Sequence, residues 1–207
     1  MDKAVEEEAK GKNIESSGEL PDMPDLDDPL FSGKGKLFRR VDWSAFWVAF
    51  LVTLAGYTYT LAPTVTLEDS GELAVAADYL GVPHPPGYPI WTLLAWFFQW
   101  VFHWKTYYGQ PNPAWAVGFL SAVSGALSCG ILSLLVSRSG AEIVRGMKRA
   151  HEVLGNKSEN LICWLGGVSA GLLLAFSPGL WSQSVIVEVY SLNALFLMIV
   201  LLLTYMW

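Results

Sequence analysis

Charge is scarce in this sequence. Only 15% of its 207 residues are Asp, Glu, Lys or Arg, whereas soluble domains average about 25%. No Lys or Arg occurs between Arg40 and Lys105. The apolar residues make up 53% of the chain and are gathered in long runs, which is typical of membrane-spanning helices. The composition therefore predicts an all-α, polytopic transmembrane helical bundle.

The sequence also lacks the patterns that mark metal and nucleic-acid sites. Its two cysteines, Cys129 and Cys163, lie at or near apolar runs and form no CxxC pair, so they are predicted to be buried free thiols. No metal-ligand spacing is present, and no basic stripe is interleaved with aromatic residues. We therefore assign no metal ligands and predict no nucleic-acid partner, while a divalent-metal requirement stays open.

The first 30 residues contain no apolar segment, so we predict no cleavable signal peptide within them. Residues 1–40 are acidic and poor in aromatics, which predicts a disordered tail. This tail ends in a basic juxtamembrane cluster, and such flanks stay cytoplasmic. Residues 41–207 are predicted to be the transmembrane domain, and since they stop inside an apolar run we expect an N-terminal fragment. The basic cluster consists of Lys34, Lys36, Arg39 and Arg40.

Five apolar runs follow the tail. The second has only fifteen residues, fewer than the roughly 20 that a spanning helix needs. If every run crosses, the basic segment 137–160 lies outside, against the positive-inside rule. If the second run enters and returns, this segment is cytoplasmic; we favour this alternative, and both stay open. Glycosylation at the sequon Asn156-Lys157-Ser158 would prove strict crossing. The runs are 43–61, 90–104, 115–136, 161–176 and 192–207.

The polar residues are concentrated in residues 63–89, PTVTLEDSGELAVAADYLGVPHPPGYP. Asp69 and, three residues later, Glu72 match the capping-box pattern, which predicts that Asp69 caps a helix and that Glu72 reaches back to it. This short surface helix, 71–80, would lie in the first outer loop and end at Gly81. One of its faces would carry Leu73, Ala76, Ala77 and Leu80.

Several residues could carry chemistry. A carboxylate at a membrane face can take a proton from a hydroxyl, so Asp69 and Glu72 are predicted to be catalytic; the alternative is that they only cap the helix. His84, in the sequence HPPG, could donate to a phosphate or orient a carboxylate. Gly87 would let the backbone approach a ligand, and Tyr88 is assigned to substrate binding with it. Glu188 is a candidate because it lies at a membrane boundary.

The glycines of the fourth run are predicted to have a structural role. Gly166, Gly167 and Gly171 lie at spacings that let two helices approach closely.

Two stretches together, LAPTVTLEDSGELAVAADYLGVPHPPGYP and SPGLWSQSVIVEVYSLN, resemble the multi-span membrane proteins related to protein O-mannosyltransferases. These form glycosyltransferase family 117 of the GT-C superfamily. The resemblance covers about residues 41–207. It implies a GT-C-like enzyme that moves a sugar, with mannose as the expected one, from a polyprenyl- or dolichyl-phosphate donor to a Ser or Thr hydroxyl of an acceptor protein, with inversion.

The resemblance also implies roles for individual residues. Asp69 would be the base with Glu72 beside it, His84 would lie near the donor phosphate, and Glu188 would be a second acid. The partners would be membrane lipid, the polyprenyl-phosphate sugar and the acceptor protein. The membrane would be that of the endoplasmic reticulum in a eukaryote or the inner membrane in a bacterium.

The resemblance is incomplete, because GT-C enzymes have more spans than the five apolar runs here. The fragment is therefore expected to be inactive alone. Two other functions stay open: a fragment of a transporter or channel, and a non-catalytic membrane scaffold. Transporters place ionisable residues at mid-span, whereas none of these runs has a charge near its centre, and this favours the enzyme.

Overall fold

The computed structural model describes residues 37–66 and 68–207, and for residues 148–155 it describes the backbone alone. The predicted disordered tail up to residue 36, with Lys34 and Lys36, lies outside the described residues. The described part forms seven helices and one short hairpin. In chain order these are α1 (Arg40–Tyr59), α2 (Ser70–Asp78), α3 (Pro89–Val101), β1 (Thr106–Tyr107), β2 (Gln110–Pro111), α4 (Pro113–Gly146), α5 (Lys148–Ala175), α6 (Pro178–Ser184) and α7 (Tyr190–Met206).

Three helices are long and apolar enough to cross a bilayer: α1, α4 and the Asn156–Ala175 part of α5. The apolar helix α7 has 17 residues, about 26 Å at 1.5 Å per residue. In contrast, α3 has 13 residues, or about 20 Å, which is shorter than the roughly 30 Å hydrocarbon layer. The prediction of an all-α membrane bundle is confirmed.

One end of the bundle is defined by Arg39, and we call it the Arg39 end. Arg39, just before α1, donates to Glu159 and Asn160 of α5 and to the carbonyl oxygen of Ser137 in α4. Tyr205, near the end of α7, donates its hydroxyl proton to Glu142 of α4 at 2.6 Å. Four helix segments therefore lie together at this end: the start of α1, the last turns of α4, the early turns of α5 and the end of α7.

The opposite end carries Asp69, and we call it the Asp69 end. Tyr57, near the end of α1, donates to the carbonyl oxygen of Ala175 at the end of α5. The hairpin lies here too, because the Asn112 amide donates to the carbonyl oxygen of Pro63 at 2.6 Å. The helices α1, α4, α5 and α7 thus alternate in direction, while α3 begins and ends at the Asp69 end.

This arrangement decides between the two topologies that the sequence left open. Segment 137–160 lies at the same end of the bundle as Arg39, so the alternative in which every run crosses is wrong. The physical reason is length, since a helix of 13 residues cannot reach the other end of a span.

Charged side chains are buried at the Arg39 end. Asp42 is fully buried and accepts hydrogen bonds from the Arg39 guanidinium and the Ser137 hydroxyl, both at 2.7 Å. Glu159, 1% exposed, pairs with Arg39 and with Arg145. Each acid has basic or hydroxyl donors, as a buried charge requires, so this network ties α1 to α4 and α5.

Glycines let α5 pack closely against α4. A Cβ added to Gly167 would lie 2.6 Å from the carbonyl oxygen of Ser133, and one added to Gly171 would lie 2.8 Å from that of Cys129. The packing prediction is confirmed for these two glycines. It is wrong for Gly166, whose added Cβ would meet nothing within 4 Å among the described residues. The predicted buried free thiols, Cys129 and Cys163, are confirmed.

Candidate active site

The first turn of α2 is anchored to the segment that precedes α7. Ser70 begins this helix, is fully buried, and donates its hydroxyl proton to the carbonyl oxygen of Val187 at 3.2 Å. Leu73 and Ala77 pack with Trp91 and Val187 in one apolar cluster. The residue before Ser70, which is Asp69, is therefore held at the edge of a packed core while its side chain stays 60% exposed.

The predicted capping box does not form. Asp69 occupies the N-cap position of α2, but its side chain makes no capping hydrogen bond. Glu72 turns instead to His84, whose backbone N–H donates to Oε1 at 2.7 Å and whose ring Nδ1 lies 3.3 Å from Oε2. The prediction is wrong because the HPPG loop folds over the first turn of α2 and offers Glu72 two partners there.

The predicted surface helix exists, with corrected bounds. It covers Ser70–Asp78 rather than 71–80. Leu73, Ala76 and Ala77 are buried as predicted, whereas Leu80 is 49% exposed. Leu80 lies beyond the helix end in a left-handed conformation, with φ of 50°, so it cannot continue the apolar face. The left-handed position after the helix is therefore occupied by Leu80 and not by Gly81.

The loop at 82–88 holds His84 between the two carboxylates. His84 Nε2 lies 3.9 Å from Asp69 Oδ2, and the His84 ring packs edge-on against Tyr88. Gly87 has a φ of 89°, and a Cβ there would lie 3.0 Å from a methyl of Val82, so the turn favours glycine. This geometry gives His84 one carboxylate on each side.

Glu72, Asp69 and His84 each offer a ligand atom, and these three atoms lie within 4.8 Å of one another. Carboxylate oxygen and imidazole nitrogen can bind divalent cations, although the Glu72 oxygens already accept from His84. The His84 backbone N–H, followed by its ring, lowers the pKa of Glu72 below its ordinary 4.5. Glu72 is therefore a charged acceptor at neutral pH.

Glu188 reaches the same site from far along the chain. Its backbone carbonyl accepts from Ser121 Oγ at 3.0 Å and from Trp91 Nε1 at 3.2 Å, which holds it between α4 and α3. The residue is only 5% exposed. Burial raises the pKa of Glu188 above 4.5, and the charges of Glu68 and Asp69 raise it further.

The structure thus brings together most of the residues that the sequence singled out. Asp69, Glu72 and His84 form one cluster, and Glu188 interacts with Asp69 and Glu68. The sequence pattern did not predict the supporting roles of Ser121 and Trp91. Both lie inside apolar runs, where a serine or a tryptophan carries no signal of its partner.

An apolar groove of about 490 Å³ adjoins the His84 loop. It lies between the start of α3 and the start of α7. Its wall on the α7 side begins at Val189, the residue that follows Glu188. Tyr88, one of the predicted substrate-binding residues, is part of its wall. The walls include Pro86, Tyr88, Trp91, Val189, Tyr190 and Phe196.

Comparison with known proteins identifies relatives. The family described as "Protein O-mannosyl-transferase TMEM260 N-terminal domain" matches residues 69–207. A protein from Mus musculus named "Protein O-mannosyl-transferase TMEM260" is 33% identical over 155 residues. A protein from Dictyostelium discoideum named "Protein O-mannosyl-transferase tmem260" is 28% identical over 161 residues.

These matches cover 75% and 78% of this chain but only 18% and 17% of the two relatives. The chain therefore spans about a sixth of the length of the curated relatives it matches. No solved structure matches it.

Proposed function

The chain belongs to the family of protein O-mannosyl-transferase TMEM260 N-terminal domains, and from this membership we propose that it carries the acceptor-activating part of a membrane glycosyltransferase. The enzyme would move mannose from a polyprenyl- or dolichyl-phosphate donor to a Ser or Thr hydroxyl of a protein, with inversion. The names of the relatives support mannose and a protein acceptor. The resemblance of the DSGE and HPPG motifs to GT-C enzymes supports the donor.

The observation that carries this proposal is an accessible carboxylate, Asp69, held beside His84 and close to the buried Glu188. Asp69 acts as the general base and takes the proton of the acceptor hydroxyl. The acceptor oxygen forms a bond to C1 of the sugar while the bond from C1 to the phosphate oxygen breaks. The bonding electrons leave with the lipid phosphate, and the proton remains on Asp69.

The neighbouring groups position the donor. Glu72 holds His84 by two contacts, so the ring, when both of its nitrogens carry a proton, can donate a hydrogen bond from Nε2 to an anionic phosphate oxygen. Gly87 and Tyr88 shape the adjoining turn. Glu188, whose pKa is raised by burial, can form a hydrogen bond with a sugar hydroxyl.

The apolar groove fits the lipid part of the donor. Its volume of about 490 Å³ and its mostly apolar walls suit isoprene units, and it opens beside the loop that carries His84. A lipid lying there would have its phosphate next to His84 and its sugar next to Asp69. The basic flank at Arg39 and Arg40 supports a cytoplasmic location for the opposite end of the bundle, and the proposed site would then face the lumen or the periplasm.

Substitution of Asp69→Asn in the full-length protein tests the base. Asn has the same shape, and the Asp69 side chain makes no capping bond that could be lost. We expect normal expression and a loss of roughly 10²–10⁴-fold in kcat, the usual contribution of a general base. Sugar transfer from a polyprenyl-phosphate donor to a Thr peptide is the measurement.

Glu142→Gln is the control, because Glu142 is a partly exposed carboxylate at the opposite end of the bundle. It should keep most of the transfer rate. Normal transfer by Asp69→Asn would remove Asp69 from the mechanism. Transport of a solute by the full-length protein, with no sugar transfer, would favour the transporter instead.

A further inference from the structure

A second cleft, of about 300 Å³, lies at the Asp69 end of the bundle, at the far end of α2. It is separate from the groove beside His84, and the roles proposed above leave it without a function. Its walls come from the end of α2, the second half of α3 and the hairpin. They include Asp78, Trp96, Gln99, Trp100, Lys105 and Asn112.

Most polar groups in this cleft already have partners. The Asn112 amide donates to Pro63, His103 Nδ1 lies 3.0 Å from the carbonyl oxygen of Trp100, and the Lys105 ammonium sits over the ring of Trp115, 4.3 Å from its centroid. The cleft therefore offers few groups that could bind the many hydroxyls of a sugar.

Two of the lining side chains, Gln99 and Asp78, offer hydrogen-bond acceptors next to the Lys105 ammonium. Gln99 is 8% exposed; its Nε2 donates to the carbonyl oxygen of Ala74, and its Oε1 has no hydrogen-bond partner among the described residues. A buried amide oxygen without a donor is unfavourable, so a ligand that brings an N–H group would satisfy it. Asp78 adds an exposed carboxylate at the rim.

Aromatic faces surround these acceptors. Trp96 and Trp100 line the cleft and are 40% and 65% exposed. Tryptophan is the best aromatic partner for a cation, and a carboxylate strengthens a hydrogen bond from a charged donor. An aromatic wall, one carboxylate and one unsatisfied carbonyl oxygen together suit a flat or extended cation with N–H donors.

We propose that this cleft binds an Arg or Lys side chain of the acceptor polypeptide. The inference rests on the proposed transfer to a protein. Asp69 and Asp78 are separated by the nine residues of α2, or about 13 Å at 1.5 Å per residue. An extended peptide covers that distance in about four residues. The basic side chain therefore lies about four residues from the hydroxyl that receives the sugar.

The test uses the full-length protein with a polyprenyl-phosphate mannose donor and Thr peptides. One pair of peptides carries Arg four residues before or after Thr, and the matched pair carries Gln there. We expect one of the Arg peptides to have a KM about tenfold lower than its Gln partner, the ratio that about 1.4 kcal/mol gives. Equal KM values for all four peptides would overturn the proposal.

Three variants locate the effect. Asp78→Asn and Trp100→Leu should remove the difference between Arg and Gln peptides. Trp104→Leu is the control, because Trp104 is also an exposed tryptophan, 59% exposed, but does not line the cleft; it should keep the difference. A preference for Arg that survives Asp78→Asn would place the basic side chain elsewhere. Thermal melting checks that each variant is folded.

Binding is measured separately, by fluorescence anisotropy of a dye-labelled Arg peptide, so that transfer is not required. Binding that depends on Asp78 without any mannosylation would support the cleft and contradict the proposed transfer activity. Mannosylation together with peptide binding that does not depend on Asp78 would support the proposed transfer activity and contradict the role of the cleft. Displacement of the peptide by methyl α-mannoside would assign the cleft to a sugar and overturn the proposal. Equal binding of the peptide to protein-free nanodiscs would show that lipid, and not the cleft, binds it, and would also overturn the proposal.

Discussion

Glu188 shows most clearly how burial changes the chemistry of one residue. Its side chain lies next to two other acids and is almost fully buried, and both conditions disfavour the charged form. The pKa of Glu188 is therefore raised above 4.5. Between 4.5 and its folded value, the folded protein binds more protons at this position than the unfolded chain does. Its contribution to stability is thus present below pH 4.5 and is lost as the pH rises.

Replacement of Glu188→Gln should remove this pH dependence. At pH 8 the variant should melt about 2–4 °C higher than the original protein, the shift that about 1 kcal/mol produces in a chain of this size. At pH 4 the two should melt together, since Glu188 is then protonated in both states. Thermal unfolding followed by circular dichroism in detergent is the measurement, and a variant less stable at pH 8 would contradict the burial argument.

The sequence singled out the four titratable residues of the proposed site, but their arrangement could not be read from it. Asp69, Glu72, His84 and Glu188 were identified because acids and a histidine stand out between apolar runs. The predicted partner of Glu72, the N-cap at Asp69, was wrong. A capping box is a local pattern, whereas the actual partner, His84, lies twelve residues away. The neighbours of Glu188 could not be predicted, because Ser121 and Asp69 are far from it in the chain.

At the scale of elements, helix length and glycine placement decide the packing. Apolar runs predicted all five long or medium apolar helices, with ends that differ by a few residues, except that α4 and α5 extend through segment 137–160. The helix α3 begins at Pro89, in the first turn, where proline is well suited. Local patterns could not show which glycines face a neighbouring helix.

Gly167→Ala and Gly166→Ala form a matched pair that tests this packing. The added methyl of Gly167→Ala would meet backbone of α4 at 2.6 Å, so the helices must separate, at a cost of about 1–3 kcal/mol. Gly166→Ala adds a methyl in open space and should be neutral or stabilising by up to about 1 kcal/mol, because Ala favours helix. Chemical or thermal unfolding measures both, and equal effects would contradict the close contact.

At the scale of the whole molecule, alternating helices separate the site from the basic segment. The hairpin and segment 137–160 lie at opposite ends, so only one of them can meet the lumenal glycosylation machinery. We expect the natural sequon at Asn156 to carry no glycan in a eukaryotic host. A sequon placed in the hairpin should be glycosylated.

Tyr108→Asn with Gln110→Thr creates that sequon with little strain. Tyr108 and Gly109 both have positive φ, 49° and 78°, and form the two-residue turn between β1 and β2, where Asn-Gly is favoured. The mobility shift after endoglycosidase treatment is the measurement. A glycan at Asn156 alone would show that the bundle has the opposite orientation in the membrane. Glycans at both positions would contradict the arrangement of the helices.

The sequence by itself determined the class of the protein, its apolar helices and its family. The reason is that a bilayer requires long apolar segments whose backbone hydrogen bonds are made internally, and that the DSGE and HPPG motifs are local. Only the tertiary structure decided which helix ends meet, that Glu72 binds His84, that Glu188 interacts with Glu68 and Asp69, and which glycines are packed. Those contacts join residues that are distant in the chain, and they depend on the lengths and directions of several helices at once.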